Sequence, residues 1–286
     1  MRTRSPFRSV LPTLASLLLM SVSIAAARPA DEAVARAAPI VGLNSHGLEV
    51  PHLAALTDLG VRHVRWTIYE HLWTGDRAYR EWNTARLQDA IGRGFQVLVI
   101  VQGRNTAELA RLFPGVEAWQ PMNEIDGPGN RERGGEYGRH LLEIRERAPR
   151  ARLVSAGIAP ESATEFWGGM RDVGAVPDAY AVHIYGIPLA DHVGRTRAAV
   201  LGAATGVPVW STEFGLDLQF TDEAGQRGQW QGFIGASAGV FDRVYGYALF
   251  TDEDGRHGRV EKHGILRADG SARATYHWLR SYLRGR

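Results

Sequence analysis

Two short stretches of the chain, Trp119-Gln120-Pro121-Met122-Asn123-Glu124 and Trp210-Ser211-Thr212-Glu213-Phe214-Gly215, each place a glutamate at the end of an apolar run. A carboxylate that ends a buried parallel strand is costly unless it faces a polar cavity. Two carboxyl groups converging on one mouth can divide the work of breaking a glycosidic bond, one ionised as nucleophile and the other kept protonated as acid. A single glutamate at a strand end is more often a solvated loop residue or the neighbour of a helix start. Two of them, each beside tryptophan and each followed by a turn, point to a catalytic pair, Glu124 and Glu213. Asn123 strengthens that reading, because an amide next to the acid can hydrogen-bond a sugar hydroxyl and tighten in the transition state.

The elements that must hold these groups follow from hydrophobic periodicity. Apolar runs alternate with helical patterns eight times, with strands expected at Pro39–Ser45, His63–Tyr69, Gln96–Gln102, Val116–Asn123, Arg152–Ala159, Asp178–Tyr185, Val207–Thr212 and Arg243–Thr251. Helical spacing lies between them, as in Tyr137–Ala148 and Gly228–Val240, and Ala272–Leu283 closes the chain. Eight strands each followed by a helix is the count of an α/β (β/α)₈ TIM barrel, and a single such domain over residues 39–286 suits a chain of 286 residues that is 44% hydrophobic. Arg65, Asn123, Glu124, His183, Tyr185 and Glu213 all fall late in an expected strand, on the rim where barrel active sites lie. The opposite rim offers nothing comparable.

The pattern of these motifs resembles the clan A glycoside hydrolases. Asn123-Glu124 resembles the close of that clan's fourth strand, and Ser211-Thr212-Glu213-Phe214-Gly215 that of its seventh. Val61-Arg62-His63-Val64-Arg65-Trp66 is similar to the second strand, whose arginine supports the nucleophile, and His183-Ile184-Tyr185 to the His-x-Tyr pair of the sixth. The opening segment, Gly42-Leu43-Asn44-Ser45-His46 with Asp58-Leu59-Gly60-Val61-Arg62 after a helix, is most similar to families 39 and 5. The resemblance implies that Glu124 is acid/base and Glu213 nucleophile in a retaining hydrolase. The clan's eighth strand usually carries a tryptophan under the reacting sugar, whereas Tyr245-Gly246-Tyr247-Ala248-Leu249-Phe250 has none and leaves Phe250 or Tyr247 as the substitute.

Residue chemistry then assigns supporting roles. An ionised Glu213 needs fixed donors, which Arg65 and Tyr185 can supply. Glu124, partly buried and facing that anion, is expected to stay protonated. His183 is expected to contact sugar rather than metal, and Asn44 and His46 to line the same cleft. Trp119 is expected to offer a stacking face, as are Trp66, Trp73, Trp167 and Trp210, although most of these tryptophans belong in a core. No cofactor is expected, and no metal, since the chain has no His-x-His on its first strand and no His-Glu-x-x-His helix. Asp252-Glu253-Asp254 has the composition of a calcium loop, but short acid runs are usually only solvated.

Composition limits the partners. A net charge of +2, with arginines interspersed among acids, speaks against a nucleic-acid surface. Arg2, Arg4 and Arg8 precede the apolar stretch Val10–Ile24, which ends in Ala25-Ala26-Ala27. That order describes a secretory leader over residues 1–27, followed by a linker over 28–38; the stretch is short for a membrane anchor and carries Pro12. The expected product is a periplasmic or secreted monomer without disulfides, since cysteine is absent, acting on an oligosaccharide or polysaccharide and not on a membrane. Short rim loops favour an open cleft and endo-action. Two alternatives stay open at this point: a non-catalytic carbohydrate-binding barrel, and a transglycosidase that passes the sugar to an acceptor hydroxyl.

Overall fold

Val97, Val99 and Val101 point one way from their strand and Leu98 the other, and this alternation recurs around a closed set of parallel strands. The computed structural model describes residues 38–204, 206–251 and 262–285. The expected leader, the expected linker apart from its last residue, and Asp252-Glu253-Asp254 lie outside these described residues. The strands are β1 (Ile40–Asn44), β2 (His63–Tyr69), β3 (Gln96–Gln102), β4 (Ala118–Pro121), β5 (Val154–Ile158), β6 (Ala179–Tyr185), β7 (Val209–Gly215) and β8 (Arg243–Gly246). They pair in the order β4-β3-β2-β1-β8-β7-β6-β5, every ladder parallel. A Trp119–Leu153 bridge and the Trp119 N–H to Arg152 carbonyl bond at 2.8 Å join β4 to β5 at the lower end of the seam. The fold is the (β/α)₈ barrel.

Between the strands run α1 (Val50–Leu59), α2 (Glu70–Gly75), α3 (Arg77–Gly92), α4 (Thr106–Leu112), α5 (Asn130–Arg147), α6 (Ala163–Asp172), α7 (Leu189–Ala204) and α8 (Glu223–Ala236); α9 (Ala274–Arg284) closes the barrel. Their starts are chemically marked. Asp76 accepts the Tyr79 N–H at the start of α3, and Asp222 the Gly225 N–H at the start of α8. No described helix is long and apolar enough to cross a membrane.

Two layers of apolar packing result. The larger lies between strands and helices and takes in Trp66, Trp73, Trp119, Trp167 and Trp230. The smaller, made of Leu98, Ala118, Val154, Ala179, Ala181, Trp210 and Tyr245, fills the barrel. Alanines on β4 and β6 make room there for two large rings. Below them Arg243 and Arg152 lie 4.3 and 4.9 Å from the Trp210 ring centre, and Glu117 accepts from Arg243 at 2.5 Å. Burial would raise the Glu117 carboxyl, but the bonds from His63 and Arg243 outweigh it and hold it at about 2.

Several boundaries depart from expectation. β4 stops at Pro121 and β8 at Gly246, although the apolar sequence continues in both. β7 runs on to Gly215, so Glu213 sits inside the strand and not at its tip. Helix α5 begins seven residues earlier than Tyr137, at Asn130. Its first turns are charged and glycine-rich because α6 approaches closely there: a Cβ on Gly134 would meet the Phe166 carbonyl oxygen at 2.0 Å.

Candidate active site

The site is organised by one donor-only group. Arg65, on β2, is almost fully buried, and four acceptors surround its guanidinium: Asn44 Oδ1 and Glu213 Oε1 each at 2.6 Å from Nη1, Asn123 Oδ1 at 2.7 Å from Nη2, and Gln120 Oε1 at 3.1 Å from Nε. Because arginine can only donate, each amide must turn its oxygen towards it. The amide nitrogens are thereby aimed elsewhere. Asn44 Nδ2 donates to the Thr212 carbonyl at 3.0 Å, tying β1 to β7. Gln120 Nε2 donates to Asn123 Oδ1 at 2.8 Å, so that oxygen has two donors and the Asn123 nitrogen is left to face the cleft.

Glu213 is the anion of this arrangement. Its Oε1 holds the Arg65 bond and its Oε2 accepts from the Tyr185 hydroxyl at 2.5 Å. Burial on its own would raise the carboxyl; His183, the Arg65 guanidinium and the Tyr185 bond together outweigh it and hold the group at about 2. Burial and the adjacent carboxylate push the Tyr185 phenol well above its ordinary value, which favours its role as donor to that carboxylate. Glu213 reaches the interior through an irregularity. β7 carries an extra residue against β6 between the Val182–Ser211 and His183–Glu213 pairs, which lets both Trp210 and Glu213 face inward although three positions apart.

Glu124 follows β4 in a turn where Met122 and Glu124 both adopt left-handed backbone conformations, φ 61° and 51°. Such conformations cost about 1–2 kcal/mol per non-glycine residue and persist only where neighbours hold them. The expectation of partial burial is corrected here: the Glu124 side chain is 59% exposed. One oxygen is hydrogen-bonded to His183 Nδ1 at 2.9 Å, while His183 Nε2 lies 3.5 Å from Glu213 Oε1. The imidazole, itself 5% exposed, thus spans the two carboxylates. One oxygen of Glu124 and one of Glu213 lie within 4.8 Å of each other.

Residues 136–279 match the family described as the glycosyl hydrolase catalytic core. The chain belongs to that glycosyl hydrolase family. Solved structures agree on the fold: the chain is similar to a family 39 glycoside hydrolase from the gut symbiont Bacteroides cellulosilyticus WH2, at 15% identity over 85% of this chain and 63% of that one, TM-score 0.67. It is also similar to a GH39 β-xylosidase from Caulobacter crescentus, at 15% identity over 87% and 73% of the two chains, TM-score 0.64. GH5_18 from Streptomyces cattleya, solved in complex with GlcNAc, matches at 16% identity over 87% and 80%, TM-score 0.67. No curated protein matches the sequence.

In this glycosyl hydrolase the expected residues mostly converge on one cleft of about 430 Å³, lined by Asn44, His46, Arg65, Asn123, Glu124, Tyr185 and Glu213 among others. His183 lines a second cavity of about 260 Å³, which shares Glu124 and Tyr185 with the first. Trp119 and Phe250 do not reach either. Trp119 points out of the barrel into the helix layer and is 2% exposed; Phe250 packs on His52, ring centres 4.6 Å apart. The other four candidate tryptophans are buried as well. Three tyrosines line the cleft instead, Tyr69, Tyr185 and Tyr247, and the Tyr247 hydroxyl meets His46 Nε2 at 3.0 Å.

Sequence reading missed Gln120, Thr67, Tyr69, Gln102 and His263. Gln120 had a signal, an uncharged polar residue in the middle of an apolar strand, two positions from inward-facing Ala118. His263 had none; it enters from a loop far along the chain and stands 5.4 Å from Tyr247, ring centre to ring centre. Glu124, His183 and Glu213 are the described residues whose ligand atoms cluster closely enough for a metal ion. Their atoms are already committed, however: Arg65 and Tyr185 occupy Glu213, and Glu124 occupies His183 Nδ1. A dication there would compete with a fixed guanidinium for the same carboxylate oxygen.

Proposed function

We propose that the protein is a retaining glycoside hydrolase with Glu213 as nucleophile and Glu124 as acid/base. The observation that carries this is the pairing of an anion fixed by Arg65 and Tyr185 with an accessible carboxyl less than 5 Å from it, oxygen to oxygen. Retaining enzymes hold their two carboxyl groups about 5–5.5 Å apart, whereas inverting enzymes leave roughly 6.5–9.5 Å for a water. In the first step a Glu213 oxygen bonds to the anomeric carbon as the glycosidic C–O bond breaks, and the departing oxygen takes the proton of Glu124. In the second, water attacks the same carbon, gives its proton to Glu124, and releases Glu213 as carboxylate.

The surroundings suit a sugar. Asn123 presents a donor amide beside the nucleophile, which fits an acceptor group next to the anomeric carbon. Tyr247 gives the cleft an aromatic face for sugar C–H groups. Two cavities that share Glu124 in their walls support endo-action, because an internal glycosidic bond needs room for a sugar on each side of its oxygen. The non-catalytic alternative does not account for a buried, fully donated carboxylate aimed at an open acid.

The test begins with a polysaccharide panel and reducing-end detection, then moves to activated aryl glycosides of the sugar found. Glu213→Ala should form no glycosyl-enzyme with any leaving group. Glu124→Ala should still be glycosylated by the activated substrate, and azide should release a glycosyl azide with the configuration of the starting sugar. Equal loss in both variants with no azide product, or an inverted first product, overturns the assignment.

A further inference from the structure

Strand β5 sends no side chain into the cleft at the level of the two carboxylates. The residue there is Gly157, and its two backbone features bear on both halves of the Glu124–His183 pair. A Cβ on Gly157 would stand 2.0 Å from His183 Nε2, 2.5 Å from Cδ2 and 2.8 Å from Cε1. Carbon contacts settle at about 3.5–4 Å, so the ring would have to retreat by more than an ångström. Any such retreat disturbs the ring's contacts, because Nδ1 is bonded to Glu124 and Nε2 faces Glu213. The Gly157 carbonyl oxygen, in turn, accepts the Glu124 N–H at 2.9 Å. That bond crosses the β4–β5 seam at the upper rim and restrains a residue in a left-handed conformation. Gly157 itself does not lie in the left-handed region, so a side chain here is opposed by the space available and not by backbone strain.

We propose that Gly157 is a positioning residue for the acid/base: its missing side chain gives the His183 ring its place against Glu124, and its carbonyl holds the Glu124 backbone. The proposal rests on the assignment of Glu124 as acid/base. A register shift in β5 between Val154 and Gly157 brings the glycine to this point. The short carbonyl-to-amide bond would survive an alanine; the imidazole site would not. Gly157→Ala should therefore act through the ring, weakening proton delivery and leaving nucleophilic attack largely intact.

The experiment is a cycle of Gly157→Ala, His183→Ala and the double variant, each assayed on two glycosides of one sugar, one with a leaving group that needs protonation and one that does not. Positioned general acids contribute about 10²–10⁴-fold, so partial misplacement should lower kcat/KM for the demanding substrate roughly 10–100-fold and leave the activated one within about 3-fold. With His183 already alanine, the added methyl should cost about 2-fold or less, since the atoms it would strike are gone. Equal losses on both substrates, or losses that add in the double variant, overturn the proposal. If Gly157→Ala fails to fold and the double variant folds, the clash is identified and the proposal stands; if neither folds, it falls. Glu124→Ala on the same two substrates separates the two ideas. A leaving-group effect in Glu124→Ala but not in Gly157→Ala refutes the positioning role alone, and its absence in Glu124→Ala refutes the acid/base assignment.

Discussion

Replacing Arg65 by methionine removes a buried cation and keeps a side chain of comparable length. The wild-type carboxyl of Glu213, held at about 2 and not near 4.5, is stabilised when ionised; a difference of that size corresponds to about 3 kcal/mol at neutral pH. Breaking a buried ion pair from one side costs about 3–5 kcal/mol, because the partner charge remains in low dielectric. In a domain of this size each kcal/mol moves Tm by roughly 2–4 °C, so Arg65→Met should melt about 10 °C lower near neutral pH. The pH dependence carries the sign. In the wild type the Glu213 contribution is complete above about 4.5 and is lost as pH falls through about 2. In the variant only His183 and the Tyr185 bond oppose burial, so the carboxyl lies higher than in the wild type, and acid protonates Glu213 in the folded state and relieves the charge that has lost its cation. The Tm gap between the two proteins should therefore narrow between about pH 7 and pH 3, as read by calorimetry in matched buffers. A gap that is constant or widens on acidification would show that Arg65 acts by packing and would refute the electrostatic account of Glu213.

Two further outcomes follow from the structure and a third from the sequence. Tyr185→Phe removes the 2.5 Å donor from Glu213; a hydrogen bond to a charged group is worth about 1.5–3 kcal/mol, so kcat should fall roughly 10-fold or more and the acidic limb of the kcat/KM profile should move to higher pH. Glu117→Gln, in the barrel floor, should destabilise by roughly 1–3 kcal/mol in urea melts at neutral pH and leave kinetic constants unchanged; its effect should fade as pH drops from about 4.5 towards 2, where Glu117 itself protonates. Cleavage after Ala27 would make Arg28 the first residue of exported protein, which intact mass reads directly.

The fold was legible where burial and pairing coincide. β2 and β3 run between the residues that the Val/Ile-rich alternation marks, because each of their positions is both apolar or inward and hydrogen-bonded. β8 was not, since Tyr247, Leu249 and Phe250 remain apolar after the ladder ends at Gly246; hydrophobic content reports what is covered, not what is paired. The first turns of α5 were hidden for the opposite reason. Arg131, Glu132, Arg133 and Gly134 have poor helix-core character, yet tertiary contact with α6 demands a small residue at Gly134 and overrides the local signal.

The site divides along a different line. Residue type identifies what each group can do, and charge logic ties Arg65 and Tyr185 to an ionised Glu213. What type does not contain is the face a side chain takes. Trp119 and Tyr247 are both rings able to stack on a sugar, but Trp119 alternates with inward-facing Ala118 and Gln120 and so must point into the helix layer. On β7 even that rule fails, because Trp210 and Glu213 differ by three positions and both point inward across an extra residue. A bulge of this kind is set by backbone hydrogen bonds that leave no mark on residue type. Strict alternation from Trp210 would have turned Glu213 outward and Thr212 inward, replacing the carboxylate opposite Arg65 with a hydroxyl. The place of Glu213 is therefore a property of the bulge as much as of the glutamate, and the same holds on β5, where a register shift presents Gly157, and no side chain, to His183.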